Sequence, residues 1–253
     1  MNKKKFLSLD EISTPSLSSE NNSNYMGFIR LDGNNFGMIK SYMKTFGSYR
    51  SFSRFIKEKT EKMLFETCKE TLNSWCKKLQ KDGGKKKLST PLFRFFIIGG
   101  DDISLALHSE LALQFIKVFF EKVKKYYGPK VNKEKLGERI GEVPVTIYPT
   151  GFSGGLLITN TKTPFNILNN STKDLEERAK KYIKPKYNKI NSERMLGGSW
   201  NSIAPIFLTK GITKNYIKQY YEHYLNPYFT FCEFPMDGKH YSKFLKRIER
   251  IKS

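Results

Sequence analysis

Leu92 to Ile98 is a strongly apolar run, Gly99-Gly100-Asp101-Asp102 interrupts it, and Ile103 to His108 resumes it. Two apolar runs of strand length joined by Gly and Asp read as a β-hairpin, because a tight turn needs residues that accept positive φ. The flanking sequence extends the pattern. Tyr25 to Leu31 reads as a short buried strand, broken by Asp32-Gly33-Asn34-Asn35. Phe36, Ile39, Met43 and Phe46 then recur at helical spacing, and a second helical stretch carries Phe52, Ile56, Met63, Leu64, Cys68, Leu72, Trp75 and Leu79 on one side. Asp82 to Lys87 is a basic loop.

Beyond the hairpin, Leu111, Phe115, Val118 and Phe119 mark a helix, residues 128–150 a loop or small insertion, and Phe152 to Thr159 a strand. Pro164 to Ile183 is a helix with Phe165, Leu168, Leu175 and Ala179 on its apolar face. The order is β-α-β-β-α-β, the split-βαβ arrangement. The predicted fold class is therefore α+β: a ferredoxin-like palm whose antiparallel sheet carries helices on one face, followed by a C-terminal α-rich extension. Residues 1–24, rich in Ser, Asn and Glu, are expected to be a mobile tail, residues 25–185 the palm, and residues 186–253 an extension packed on it. Within the extension the pattern predicts a strand at 203–208, a helix at 212–225, and a last helix through Tyr241, Phe244, Leu245, Ile248 and Ile251.

Lys and Arg outnumber Asp and Glu by 45 to 24 over 253 residues, a net charge of +21. Such a field draws polyphosphates, nucleic acid or anionic lipid. The lysines are spread over most of the chain, so a general Lys-rich composition accounts for the excess equally well. The cysteines (Cys68, Cys76 and Cys232) are odd in number and lack zinc-ligand spacing with histidine. No secretory signal or membrane span is read, which makes the cytoplasm the expected location.

In a split-βαβ sheet the third strand lies between the first and second, antiparallel to both. The exit of the first strand and the hairpin turn then share one sheet edge, bringing Asp32 to Asp101 and Asp102. Carboxylates gathered at one edge suit magnesium, a hard cation that uses one or two of them together with substrate phosphates. One ion activates a 3′-hydroxyl and a second stabilises pyrophosphate. Gly99 and Gly100 supply the turn and leave room for a nucleotide. Backbone amides of Gly33, Asn34, Asn35 and Phe36 at a helix start are placed to hold phosphate.

Leu31-Asp32-Gly33-Asn34-Asn35-Phe36-Gly37 resembles the first palm motif of the large polymerase subunit of type III CRISPR effectors. Phe96-Ile97-Ile98-Gly99-Gly100-Asp101-Asp102 resembles that subunit's GGDD motif. Phe152-Ser153-Gly154-Gly155-Leu156, Pro164-Phe165 and Glu177-Arg178-Ala179-Lys180 are similar to its later strand and helix. The GGDEF nucleotidyl cyclases share this fold, but Asp102 and Ile103 stand where they have Glu-Phe. The resemblance implies Mg²⁺ or Mn²⁺, two per site, with Asp32 and Asp101 bridging and Asp102 assisting. It implies that Lys180 contacts phosphate, that Gly33 to Phe36 line a phosphate and sugar pocket, and that Asn35 and Ser153 contact sugar or base.

The implied reaction is conversion of ATP or another NTP to a cyclic di- or oligonucleotide in antiphage signalling. The chain resembles a stand-alone minimal CRISPR polymerase, with a single palm and without the further palm, nuclease domain and zinc module of the full effector subunit. A lone palm needs a second nucleotide, so a homodimer with facing sites is expected; RNA as a regulator is a further expectation, and a membrane partner is not. The competing readings are a template-dependent polymerase and a nucleic-acid-binding palm subunit of a CRISPR-like complex.

Overall fold

A computed structural model describes Ile12 and residues 24–41, 43–81, 92–127, 150–188, 201–207 and 235–252. In chain order the elements are β1 (Tyr25–Asn34), α1 (Phe36–Ser41), α2 (Phe46–Lys81), β2 (Phe93–Gly99), β3 (Asp102–His108), α3 (Ser109–Tyr127) and β4 (Gly151–Asn160). Then follow α4 (Phe165–Asn188), β5 (Ser202–Phe207), β6 (Met236–Asp237) and α5 (Gly238–Lys252). The strands form one sheet in the order β2-β3-β1-β4-β5-β6. β3 runs antiparallel between β1 and β2, as the split-βαβ reading requires.

The alternation of side chains along β1 divides the core into two layers. Ile29 and Leu31 join a cluster with Phe36, Phe52, Ile56, Phe115 and Phe119, contributed by α1, α2 and α3. Met26 and Phe28 join the opposite cluster with Leu168, Leu175 and Ala179 of α4 and Ala204 and Ile206 of β5. The two helices of the β-α-β-β-α-β unit therefore share one face, as expected, and α4 covers the other. α4 links β4 to β5, and these two strands pair in parallel. A parallel pair needs a long crossover between its strands, which here is a helix laid across the sheet. The sheet is mixed beyond β4, where the sequence reading gave only antiparallel pairs.

Local chemistry fixes the boundaries. Thr45 caps α2, its Oγ1 accepting the Ser48 N–H at 3.1 Å. Asp237 caps α5 by accepting the N–H groups of Lys239 and His240 at 3.1 and 2.9 Å. Phe165 at the start of α4 meets Phe28 of β1 and Phe96 of β2 with ring centroids 5.8 and 5.0 Å apart, pinning α4 to these two strands. α2 is held to α3 by Thr60–Tyr127 (3.0 Å), by Trp75 Nε1 donating to Glu110 (3.0 Å), and by Lys122 with Glu66 and Glu70.

The expected strand at 203–208 is β5, and the last helix is α5; the short strand β6 had no pattern to announce it. The expected helix at 212–225, the loops at 82–87 and 128–149, and nearly all of the expected tail lie outside the described residues. Ile12, within that tail, is fully buried in the cluster with Met26 and Phe28, so at this point the chain is part of the core. Among the described residues no helix is long and apolar enough to cross a membrane.

β4 and α4 pack against each other closely at Gly155. A Cβ there would stand 2.3 Å from the Thr172 carbonyl oxygen and 2.6 Å from the Leu175 Cβ. Gly155→Ala is therefore expected to cost about 1–3 kcal/mol, read as a lower urea midpoint. Gly37→Ala is the control, since an added Cβ there meets nothing within 4 Å. Equal midpoints for the two variants would show that the sheet and helix separate freely at Gly155.

Candidate active site

Asp32 lies near the end of β1, directly opposite Asp102 of β3 on one side and Ser153 of β4 on the other. Cross-strand partners in an antiparallel pair face the same side, so Asp32 and Asp102 both project toward the α4 layer. Gly99 and Asp102 close the β2–β3 hairpin around Gly100 and Asp101. Gly100 has φ +77° while Asp101 does not have positive φ, the pattern of a type II′ turn. The Gly33 N–H donates to the Asp101 carbonyl at 2.9 Å, tying this turn to the end of β1. Two segments about seventy positions apart thus meet at one sheet edge.

Cations from three elements neutralise the carboxylates. Lys180 Nζ stands 2.5 Å from Asp32 and 2.8 Å from Glu176 Oε1. Arg30 donates through Nε to Glu176 Oε2 at 2.8 Å and through Nη1 to Asn169 at 3.2 Å, and its Nη2 is 3.5 Å from Asp102. Lys40 of α1 is 3.6 Å from Asp101. Asp102 and Asp32 therefore share the network on the α4 side, whereas Asp101 pairs with α1.

Burial raises the Asp32 pKa above the ordinary carboxylate value; the Lys180 bond opposes this, and the charges of Glu176 and Asp101 add to it. For Lys180, burial pulls the other way, but the bonds to Asp32 and Glu176 outweigh it and the ammonium is held above its usual value.

The residues fit a hard divalent cation in their donor chemistry. All are carboxylate oxygens, and Asp102 Oδ1 is buried with no hydrogen-bond partner. Among the described residues there is no cage of three or more His, Cys, Asp or Glu side chains. Such a set of acids suits an ion whose remaining ligands are substrate phosphates and water.

Several residues expected in a nucleotide pocket are committed elsewhere. Phe36 is 1% exposed and packs against Phe52, Tyr127 and Phe152, so it is a core residue and not a pocket wall. Ser153 is 0% exposed and donates to Asn34 Oδ1 at 2.9 Å, with Ser202 Oγ at 2.8 Å, which bars it from sugar or base. Asn34 is buried in the same contact, and the Gly33 amide is spent on Asp101. Asn35, at φ 67°, and Gly99 and Gly100 remain accessible beside the acids. Arg30, Asn169 and Glu176 were not singled out from the sequence. Arg30 carried a usable signal: it stands between Ile29 and Leu31 at the strand spacing that puts it on the Asp32 side. Glu176 is one helical turn before Lys180, the spacing of an ion pair.

Because the folded-state pKa of Asp32 is raised, its contribution to stability is full below the unfolded value and is lost as pH rises through the folded one. Asp32→Asn is therefore expected to raise the melting temperature at pH 7 by about 2–4 °C, with the gain vanishing near pH 4. A variant that melts lower than the parent at pH 7 would show that the Lys180 pair outweighs the burial of Asp32.

Residues 25–190, well over half of the chain, match the family described as Cas10/Cmr2, second palm domain. No curated protein matches the chain. The matched span holds β1, the hairpin, β4 and α4, and so contains every acid and cation of the site. That family carries nucleotidyl cyclase and polymerase-type chemistry in the CRISPR context. The chain belongs to the Cas10/Cmr2 second palm domain family.

Proposed function

We propose that the protein converts ATP or another NTP to a cyclic di- or oligonucleotide second messenger, in defence against phage. The carrying observation is that carboxylates from two distant segments meet at one sheet edge beside a lysine from a third. In each step a 3′-oxygen forms a bond to an α-phosphorus, the bond from that phosphorus to the bridging oxygen breaks, and pyrophosphate leaves. The hydroxyl proton passes to solvent.

Asp32, Asp101 and Asp102 would hold two Mg²⁺ or Mn²⁺ ions, whose Lewis acidity lowers the pKa of the 3′-hydroxyl and neutralises the leaving group. Lys180 exchanges its carboxylate partner Asp32 for a phosphate oxygen. The Gly99-Gly100 turn, without side chains, leaves space for a nucleotide over the hairpin. The cationic field of the chain favours approach of a triphosphate. It also supports RNA as a regulator, and it is the observation behind the second reading, a template-dependent polymerase or RNA-binding palm subunit.

The second nucleotide is presented by a second copy of the chain. Ile97 and Ile98 support this arrangement: they are 39% and 42% exposed on the edge strand β2, next to the GGDD turn. Ile98→Glu is expected to shift sedimentation from dimer to monomer and to abolish product. A dimer that persists, or an active monomer, would refute the facing-site arrangement.

Incubation with each NTP and Mg²⁺ or Mn²⁺, without template, followed by mass spectrometry tests the chemistry. Cyclic product and pyrophosphate are expected from the parent protein. Asp101→Ala should remain folded and lose at least about 100-fold in rate. Product only when a template is added would favour the polymerase reading, and equal turnover in the variant would remove the acids from the mechanism.

A further inference from the structure

Glu176 has no task in the chemistry proposed above, yet it is the deepest charged group around the site. Its side chain is 6% exposed, against 17% for Arg30, 27% for Asp32 and 29% for Lys180. A carboxylate that far from water stays ionised only when it is paired and hydrogen-bonded. Both its oxygens are used: Oε2 accepts from Arg30 and Oε1 from Lys180, each at 2.8 Å. One residue thus holds two cations, of which Lys180 reaches Asp32 and Arg30 reaches Asp102.

We propose that Glu176 is a positioning residue that gives Lys180 a second partner, so that its ammonium can leave Asp32 for a divalent cation without leaving the site. This rests on the metal-dependent reading above. The Lys180–Asp32 pair competes with any cation at Asp32. Were Asp32 the only partner of Lys180, displacing the ammonium would strand a charge that is largely out of water. Glu176 lies four residues earlier on the same helix, so the ammonium keeps one short bond and has only to pivot toward the incoming phosphate. Arg30, held by the other oxygen and by Asn169, stays on its side of the edge throughout. The negative charge of Glu176 also attracts the cation directly. The two contributions are separable, because only the positioning one passes through Lys180.

The test is Mn²⁺ binding to the nucleotide-free protein, followed by the electron paramagnetic resonance of free Mn²⁺, in a double-mutant cycle. Lys180→Met removes the competitor and is expected to tighten binding several-fold. Glu176→Gln is expected to weaken it about tenfold in the parent and only about two- to threefold in the Lys180→Met background, the remainder being lost charge. Glu176→Asp keeps the charge but withdraws the carboxylate, so it should weaken binding in the parent and leave it unchanged beside Lys180→Met. It also serves if Glu176→Gln does not fold. Equal losses in both backgrounds, or no loss in the parent, would overturn the positioning role while leaving the metal centre standing. Parent binding that Asp32→Asn does not alter would instead remove the metal centre itself, and this inference with it.

Discussion

The antiparallel ladder between β1 and β3 sets everything else in the site. It runs from Met26 opposite His108 to Asp32 opposite Asp102 without a break. A slip of one residue would turn every β1 side chain to the other face. Ile29 and Leu31 would then leave the α1–α3 core, and Arg30 and Asp32 would enter it. The cost of burying an arginine and an aspartate among Phe115, Phe119 and Phe152 is far larger than any gain from alternative pairing. The hydrophobic register of the core and the position of the acids are thus one constraint: residues that never touch a ligand hold Asp32 against Asp102.

That constraint creates an electrostatic problem, which the other layers solve. Asp32, Asp101, Asp102 and Glu176 bring four negative charges to one edge of the sheet, and Arg30, Lys180 and Lys40 answer with three cations. The balance is left negative by one. Each cation comes from a separate element: Arg30 from β1 itself, Lys180 from α4 and Lys40 from α1. The helix that turns the sheet mixed is therefore also the element that delivers Lys180. The acids can fold close together because they are covered from both sides, and the residual charge is the one that the proposed reaction would leave for a cation brought by substrate.

Much of this was legible from residue order. The hairpin, the strand that carries Asp32 and the helix that bears Lys180 follow from period and turn chemistry, which are local properties. The split-βαβ order then predicts the meeting of Asp32 with Asp101 and Asp102, because it fixes which strand lies between which. The face taken by α4 was not legible. It depends on the crossover to β5, and β5 is a short strand whose Pro205 weakens its local signal. Without that face, Glu176 is one more acid in a charged helix, and its bond to Arg30 cannot be anticipated. Phe36 and Ser153 erred in the opposite direction. They sit within motifs, and proximity in sequence suggested a pocket, but strand alternation and the first turn of α1 send both side chains inward.

The charge network also bears on how such a site is kept from being occupied wrongly. A sheet edge with unpaired acids would take up any divalent cation and would cost stability while empty. A sheet edge whose acids were locked in isolated salt bridges would resist substrate. The arrangement here lies between these extremes, because its pairs are linked in a chain, Asp32–Lys180–Glu176–Arg30–Asp102, with a shared carboxylate in the middle. Opening one end of such a chain leaves its cation bonded to Glu176. Exchange at Asp32 then costs less than breaking an isolated buried pair, for which removal of one partner typically costs about 3–5 kcal/mol. If the site takes the proposed substrate, the same linkage would favour a triphosphate over a bare metal ion, since a triphosphate would supply the ammonium with a new acceptor as it displaces the old one. In the proposed reaction, selectivity for a metal-bound nucleotide would follow from the order of charges along the network, before any contact with the base is made.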